Sequence, residues 1–457
     1  MSKKMNVADV HDNKLWGYVI RYIIPLVLTG ILHLLFNAAD IVVVGRFASN
    51  GELAVGAVGS TTALINMLVN AFLGLSVGTS TCVARRFGAK DEDGVAKAVH
   101  TSVLISFISG IAVMVIGLFG SRLFLEAMDT PQTLIDQATL YMRIYFIGVP
   151  ALLTYNFCAA AMRAVGNTKT PFVVLTAAGV INVILNLIFV IGFKLDVAGV
   201  AIATTVSHFF ACFAIMLSFI KADDFMKIRM KEMKIDAKTL GEIVRIGIPA
   251  GLQSVCYSIS NVIVQSAING FGDIAVSGNT SASNIEGFIY TAMNTLYHAC
   301  LTFTGQVVGA GQIKRTTKVL VRCVIIVTLI GVIGGGLMGL VFGKQLLEIY
   351  LPESPEAVSY GLVRLSVVCV TYFLCGITDT MAGSIRGMGT SISTMLTCLL
   401  GAAGFRILWI HTFFKLDPTL MNLYILYPVS WIITGLAYVA IYIVDHKRLL
   451  KGKAPLP

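Results

Sequence analysis

Asp40 places a carboxylate inside an apolar run, three residues after Asn37 and directly before Ile41-Val-Val-Val44. A charged side chain at the centre of a membrane helix costs about 2.5–3.5 kcal/mol on insertion scales, so such a group faces a cavity or a partner and binds something. Further along, Asn182 and Asn186 stand four residues apart, on one face of a helix. Thr204 follows near the start of the next apolar run. Carboxylate, amide and hydroxyl oxygens are what a hard cation such as Na⁺ requires, whereas a proton needs only the carboxylate. A competing reading puts Asp40 at the outer interface beside Arg46 and leaves the two amides as hydrogen-bonded packing groups between helices.

Two more acids fall inside apolar runs. Glu286 is a candidate cavity residue, and Asp379 is either another or the partner of Arg386, seven residues on. Arg406 needs an acid or a water-filled surface. Tyr155, Tyr257, Tyr290 and Met293, with Asn37 and Asn156, are candidates to line a pocket for flat, lipophilic cations, because π faces and thioethers accommodate many shapes; packing is the competing role for each. Gly166-Asn-Thr-Lys169-Thr has the outline of a phosphate loop but lacks the glycine before the lysine, and no strand precedes it. His33, His208, His298 and His411 stand singly, and no nucleophile–base constellation accompanies them. The nine cysteines show no CxxC spacing and read as apolar fillers. An enzyme, a nucleotide-driven pump and a cofactor-binding protein are all disfavoured.

The elements that must carry these residues follow from composition. Of 457 residues, 56% are hydrophobic and 13% charged, against roughly 25% charged in soluble domains. The charges cluster between apolar stretches of the ~20 residues that cross about 30 Å of hydrocarbon as a helix. The spans predicted are 16–45, 53–82, 96–121, 133–161, 170–192, 198–220, 243–269, 276–305, 318–343, 358–383, 390–413 and 420–444. The fold class is therefore an all-α polytopic membrane protein of twelve transmembrane helices. No cleavable signal peptide is expected. The N-terminal tail, alternate loops and the C-terminal tail, with the helix ends beside them, hold 25 of the 34 Lys and Arg, the opposite loops five (Arg46, Arg122, Lys194, Lys344 and Lys415), and the other four are Arg21, Arg143, Arg364 and Arg406. That asymmetry puts both termini in the cytoplasm of a plasma or inner membrane. It also accounts for the net charge of +10 as topogenic charge facing anionic lipid, without nucleic acid.

The halves echo each other. Gly88-Ala89 recurs as Gly309-Ala310, Arg143 as Arg364, and Phe193-Lys-Leu-Asp196 as Phe414-Lys-Leu-Asp417, all 221 residues apart. With small shifts, Pro25 pairs with Pro249, and Arg163-Ala-Val-Gly166 with Arg386-Gly-Met-Gly389. Six helices per half is an even number, so the repeats should be parallel. The predicted lobes are 1–222 and 241–457, joined by a basic cytoplasmic linker at 223–240, with a cavity expected between them.

Pro25, Asn37-Ala-Ala-Asp40 and Val44-Gly45, together with Arg163-Ala-Val-Gly166-Asn167 and its echo Arg386-Gly-Met-Gly389, give the chain a resemblance to the multidrug and toxic compound extrusion (MATE) transporters over nearly its whole length. The resemblance implies an antiporter expelling cationic drugs or other xenobiotics in exchange for H⁺ or Na⁺, with no cofactor and no nucleotide, working as a monomer. It also implies a coupling site in the N-lobe. Family members form it from a first-helix Asp, an Asn and an acid four apart in helix five, and a Thr in helix six. Asp40, Asn182 and Thr204 match; Asn186 is an amide where many members carry a carboxylate, which favours H⁺ over Na⁺. A lipid-linked oligosaccharide flippase of the same wider superfamily is the alternative; it would need a cationic cavity, for which Arg143, Arg364 and Arg406 are the candidates.

Overall fold

The computed structural model describes residues 5–48, 51–128, 130–352 and 354–455, and these are helical almost throughout. Twelve long helical rods run in chain order: α1 Leu15–Phe47, α2 Gly51–Gly88, α3 Glu92–Ala127, α4 Gln132–Ala164, α5 Lys169–Gly192, α6 Asp196–Ile220, α7 Ala237–Asn269, α8 Asp273–Gly309, α9 Arg315–Val341, α10 Pro355–Gly387, α11 Ile392–Leu416 and α12 Leu420–Leu450. Ten of the twelve predicted spans fall inside them; the span 318–343 runs two residues past the end of α9, and 390–413 begins two residues before α11. Among the described residues, nine rods are long and apolar enough to cross a membrane individually, and α10, bent by 43° between Cys369 and Tyr372, makes a tenth. The other two, α7 and α8, are 33 and 37 residues long but more polar. A short helix, Gly343–Tyr350, precedes α10.

Turns that repeat between the halves show the duplication directly. After α4, Gly166 takes φ +84° while its N–H bonds Arg163 O at 2.9 Å and that of Asn167 bonds Met162 O at 2.9 Å. After α10, Gly389 takes φ +100°, with Gly389 N to Arg386 O at 2.8 Å and Thr390 N to Ile385 O at 3.2 Å. Both ends close on a left-handed glycine that satisfies orphan helix carbonyls. The Phe-Lys-Leu-Asp echo does not share a conformation: Lys194 and Asp196 sit at positive φ, whereas Phe413–Leu416 is a helical turn.

The compact units do not follow the predicted lobe boundaries. One unit comprises Met5 with Leu28–Gly251, the other Asn6–Val27 with Leu252 onward. The beginning of α1 thus belongs with the second half and the beginning of α7 with the first. Both exchanges occur just after a proline, Pro25 and Pro249. Proline removes a backbone hydrogen bond and disrupts the helix, so each rod can change packing partners there. The predicted linker 223–240 also folds onto the first unit: Arg229 N donates to His100 Nε2 at 3.3 Å and Asp236 N to Thr101 Oγ1 at 3.1 Å. Two hydrogen bonds from Thr239 hold the Asp236 carboxyl below its usual pKa.

In the first unit, α2 and α7 meet through Gly74-Leu-Ser-Val-Gly78 and Gly247-Ile-Pro-Ala-Gly251. A Cβ on Gly74 would lie 2.1 Å from Gly251 N, and one on Gly78 would lie 2.2 Å from Ile243 O. Two small-xxx-small faces let the backbones touch, the form of helix association that works where no water drives burial. In the second unit the start of α1 is anchored by Tyr22, fully buried, whose hydroxyl pairs with Thr302 Oγ1 at 3.0 Å and whose ring meets Phe303 edge-on at 4.8 Å.

Candidate functional site

In the first unit, α1, α5 and α6 bring the four oxygen-bearing candidates together. Asn186 Nδ2 donates to Asp40 Oδ1 at 2.5 Å and approaches Asn182 Oδ1 at 3.3 Å. Asn182 Nδ2 donates in turn to Thr204 Oγ1 at 3.2 Å, and the Thr204 hydroxyl stands beside the Asp40 carboxylate. Asn186 is fully buried and Asn182 is 5% exposed. Directly beyond Asn186, α5 widens into a π-helical turn, Ile188–Gly192, a local expansion that recurs at functional positions in helices. The Asn186 carbonyl oxygen is buried and has no hydrogen-bond partner. An acceptor left unsatisfied in a buried site is costly, so this oxygen is available to a donor or a cation. Arg46 is exposed, and among the described residues no ion pair joins it to Asp40.

Sequence reasoning missed two neighbours. Tyr141 and Tyr145 on α4 lie within electrostatic reach of Asp40, stacked on each other at 6.2 Å, and Tyr145 meets His208 edge-on at 5.6 Å. Their four-residue spacing on an apolar helix was the available signal.

The remaining cavity candidates divide. Asn37 is exposed. Tyr155 is buried in the core of the first unit and spends its hydroxyl on Pro171 O at 3.0 Å. Asn156 bonds back to Leu152 O at 2.8 Å, and Met293 is buried against α10, where a Cβ on Gly376 would meet its sulfur. Tyr155 and Met293 serve packing, whereas Asn156 is half-buried and its amide oxygen stays free of that bond. In the second unit Tyr257 and Tyr290 gather around Asp379, with the Cys375 thiol 4.0 Å from its Oδ2. Arg386 is not bonded to Asp379: its terminal nitrogens donate to Tyr297 Oη at 2.7 Å and Gln253 Oε1 at 2.6 Å.

Glu286 is not a free cavity acid. Arg364 grips it from Nε at 3.0 Å and Nη2 at 2.8 Å, while Arg364 Nη1 donates to Asn279 Oδ1 at 2.8 Å. Arg364 is therefore neutralised in place, and Arg143 is exposed. Of the three arginines that were candidates for a flippase's cationic lining, Arg406 alone is left buried without an acid among the described residues.

A family model described as MatE matches residues 25–188 and again 249–410, two successive copies that take in more than half of the chain. Probable multidrug resistance protein YoeA of Bacillus subtilis is 28% identical over 385 residues, 82% of this chain and 82% of the relative. Multidrug export protein MepA of Staphylococcus aureus is 22% identical, covering 89% of this chain and 90% of the relative. Among solved structures, a multidrug resistance MATE family transporter of the MOP superfamily in an outward-facing conformation superposes with a TM-score of 0.87 at 20% identity, over 98% of this chain and 99% of that one. At that identity the likeness shows the fold alone.

Proposed function

The chain belongs to the MatE family of multi-pass membrane transporters, and from that premise we propose that it is a secondary antiporter, exporting cationic, lipophilic drugs or toxic organic compounds in exchange for protons. The observation that carries the reading is the convergence of Asp40, Asn182, Asn186 and Thr204 from three helices of the first unit. The cluster holds one carboxylate, two amides and one hydroxyl. A proton is satisfied by the carboxylate alone, whereas Na⁺ would find a single negative charge where many relatives of this kind offer two. This favours H⁺ as the coupling ion.

Antiport requires that ion and substrate each bias the equilibrium between inward- and outward-facing states by binding them unequally. Asp40 is suited to this. It binds or releases a proton without rearranging the fold, because Asn186 and Thr204 hydrogen-bond the carboxyl group in either form. The family's membership among transporters excludes an enzymatic role, and the multidrug relatives favour export over flipping of lipid-linked sugars.

The test is dye efflux from proteoliposomes under a proton gradient and a sodium gradient imposed separately. Efflux driven by the pH gradient alone is the expected result. Efflux driven by sodium at zero ΔpH would replace the proton with Na⁺ in this scheme, and efflux under neither would remove antiport altogether.

A further inference from the structure

Arg406, on α11 of the second unit, has no acid to match it. The residue is 2% exposed, its Nη1 reaches Ser260 Oγ at 3.4 Å and Asn261 Oδ1 at 3.2 Å, and its guanidinium carbon lies 4.5 Å from the centre of the Tyr427 ring. Its Nε is buried with no hydrogen-bond partner. Among the described residues it forms no ion pair: Glu286 is already held by Arg364, and Asp379, which like Arg406 lies within electrostatic reach of Cys375 and Cys398, makes no hydrogen bond to it. A guanidinium cannot shed its charge as a buried lysine can. Burial of an uncompensated charge is the costliest arrangement a membrane segment can carry, so a counter-charge from outside the chain is called for.

The repeat gives this position a meaning. At the spacing that separates Pro25 from Pro249, Asn37 falls on Asn261 and Asn182 falls on Arg406. The first and fifth helices of each half therefore meet near these positions: Asn182 joins the Asp40 cluster in the first unit, and Arg406 contacts Ser260 and Asn261 in the second. Asp40 itself falls on Val264, so the second copy carries a guanidinium where the first has an amide and lacks the carboxylate. A π-helical turn, Leu399–Gly404, lies just before Arg406, as one lies just after Asn186. The sign of the site is inverted between the copies.

We propose that the second unit binds a small monovalent anion at Arg406, with the Ser260 hydroxyl and the Asn261 amide as further donors. One uncompensated positive charge balances one negative charge, which favours a halide over phosphate. Ser260 is fully buried and Tyr427 is 8% exposed, surroundings that suit an ion able to shed its water. Asn261 is exposed and forms the open side of the site.

Chloride is the probe. Purified full-length protein is melted in sodium chloride and in sodium gluconate at equal ionic strength, and the chlorine NMR linewidth is followed in parallel. The expected results are a Tm higher by roughly 2 °C or more in chloride and a line broadened by the protein. Asn261→Asp sets a carboxylate on the atom that Arg406 already touches; it should abolish both effects while melting no lower than the wild type in chloride. Arg406→Gln should abolish both as well, and if it does not fold, Asn261→Asp still decides. Equal wild-type melting in the two salts without line broadening overturns the proposal. So does an Asn261→Asp protein with the full chloride effect.

Discussion

Arg364 and Glu286 form a two-pronged ion pair between α10 and α8, at 3.0 and 2.8 Å, with side chains 10% and 3% exposed. Asn279 and the rings of Tyr424 and Tyr427, 5.7 and 5.6 Å from the guanidinium carbon, enclose it. Removing one member of a buried pair leaves the other as an uncompensated charge, at a cost of about 3–5 kcal/mol, whereas apolar replacement of both is close to neutral. Glu286→Gln should therefore lower the Tm sharply or reduce the yield of monodisperse protein. Glu286→Leu combined with Arg364→Met should recover most of the loss. Thermal melting and size-exclusion profiles of the three proteins check this, and a Glu286→Gln variant as stable as the wild type would show that the pair is dispensable.

The glycine crossing of α2 and α7 makes a second, steric prediction. A Cβ at position 78 meets the backbone carbonyl of Ile243, which cannot rotate away as a side chain could. Forcing extra atoms into such a contact costs about 1–3 kcal/mol. Gly78→Val should destabilise the protein by that order, while Gly59→Val, where a Cβ meets nothing within 4 Å, should be tolerated. Comparison of their melting curves is sufficient.

The architecture was legible because lipid imposes length and polarity on the spans: most apolar runs stand out between loops that are alternately basic, while α7 and α8 are more polar and stand out less. The Asn182–Asn186 pair was legible from helical spacing alone. The partners of Arg364, Arg386 and Arg406 were not: Glu286 lies 78 residues from Arg364, and no periodicity encodes which helices touch. Nor could the exchange of half-helices at Pro25 and Pro249 be seen, since an apolar face reads the same whichever unit it packs against.

Orientation rests on the 25-to-5 distribution of Lys and Arg between the two sets of loops. Insertion retains the positive loops on the cytoplasmic side. A reporter active only in the cytoplasm should therefore report activity when fused after Lys447, and a periplasmic reporter at the same point should be silent. Fusions in the loop carrying Lys194 should give the opposite pattern. A silent cytoplasmic reporter at Lys447 would reverse the assignment of both termini.

Asp40→Asn is the sharpest test of the coupling scheme. The amide is nearly the same size, and it can still hydrogen-bond with Asn186 and Thr204, so the α1–α5–α6 cluster should persist. Removing a charge from the membrane interior carries no penalty of its own, and the Tm should be unchanged or slightly higher. Coupling should not survive. An amide neither takes up nor releases a proton in the working pH range, so a pH gradient no longer favours one state of the transporter over the other. Concentrative efflux should collapse at least tenfold while drug binding to the purified protein persists. Asp379→Asn, in the second unit, is the matched control and should show the milder loss, because it removes an intramembrane acid without touching the cluster. Proteoliposome efflux and equilibrium dye binding, measured on both variants at equal protein content, separate the two steps. Wild-type, gradient-driven efflux in Asp40→Asn would place the coupling residue elsewhere.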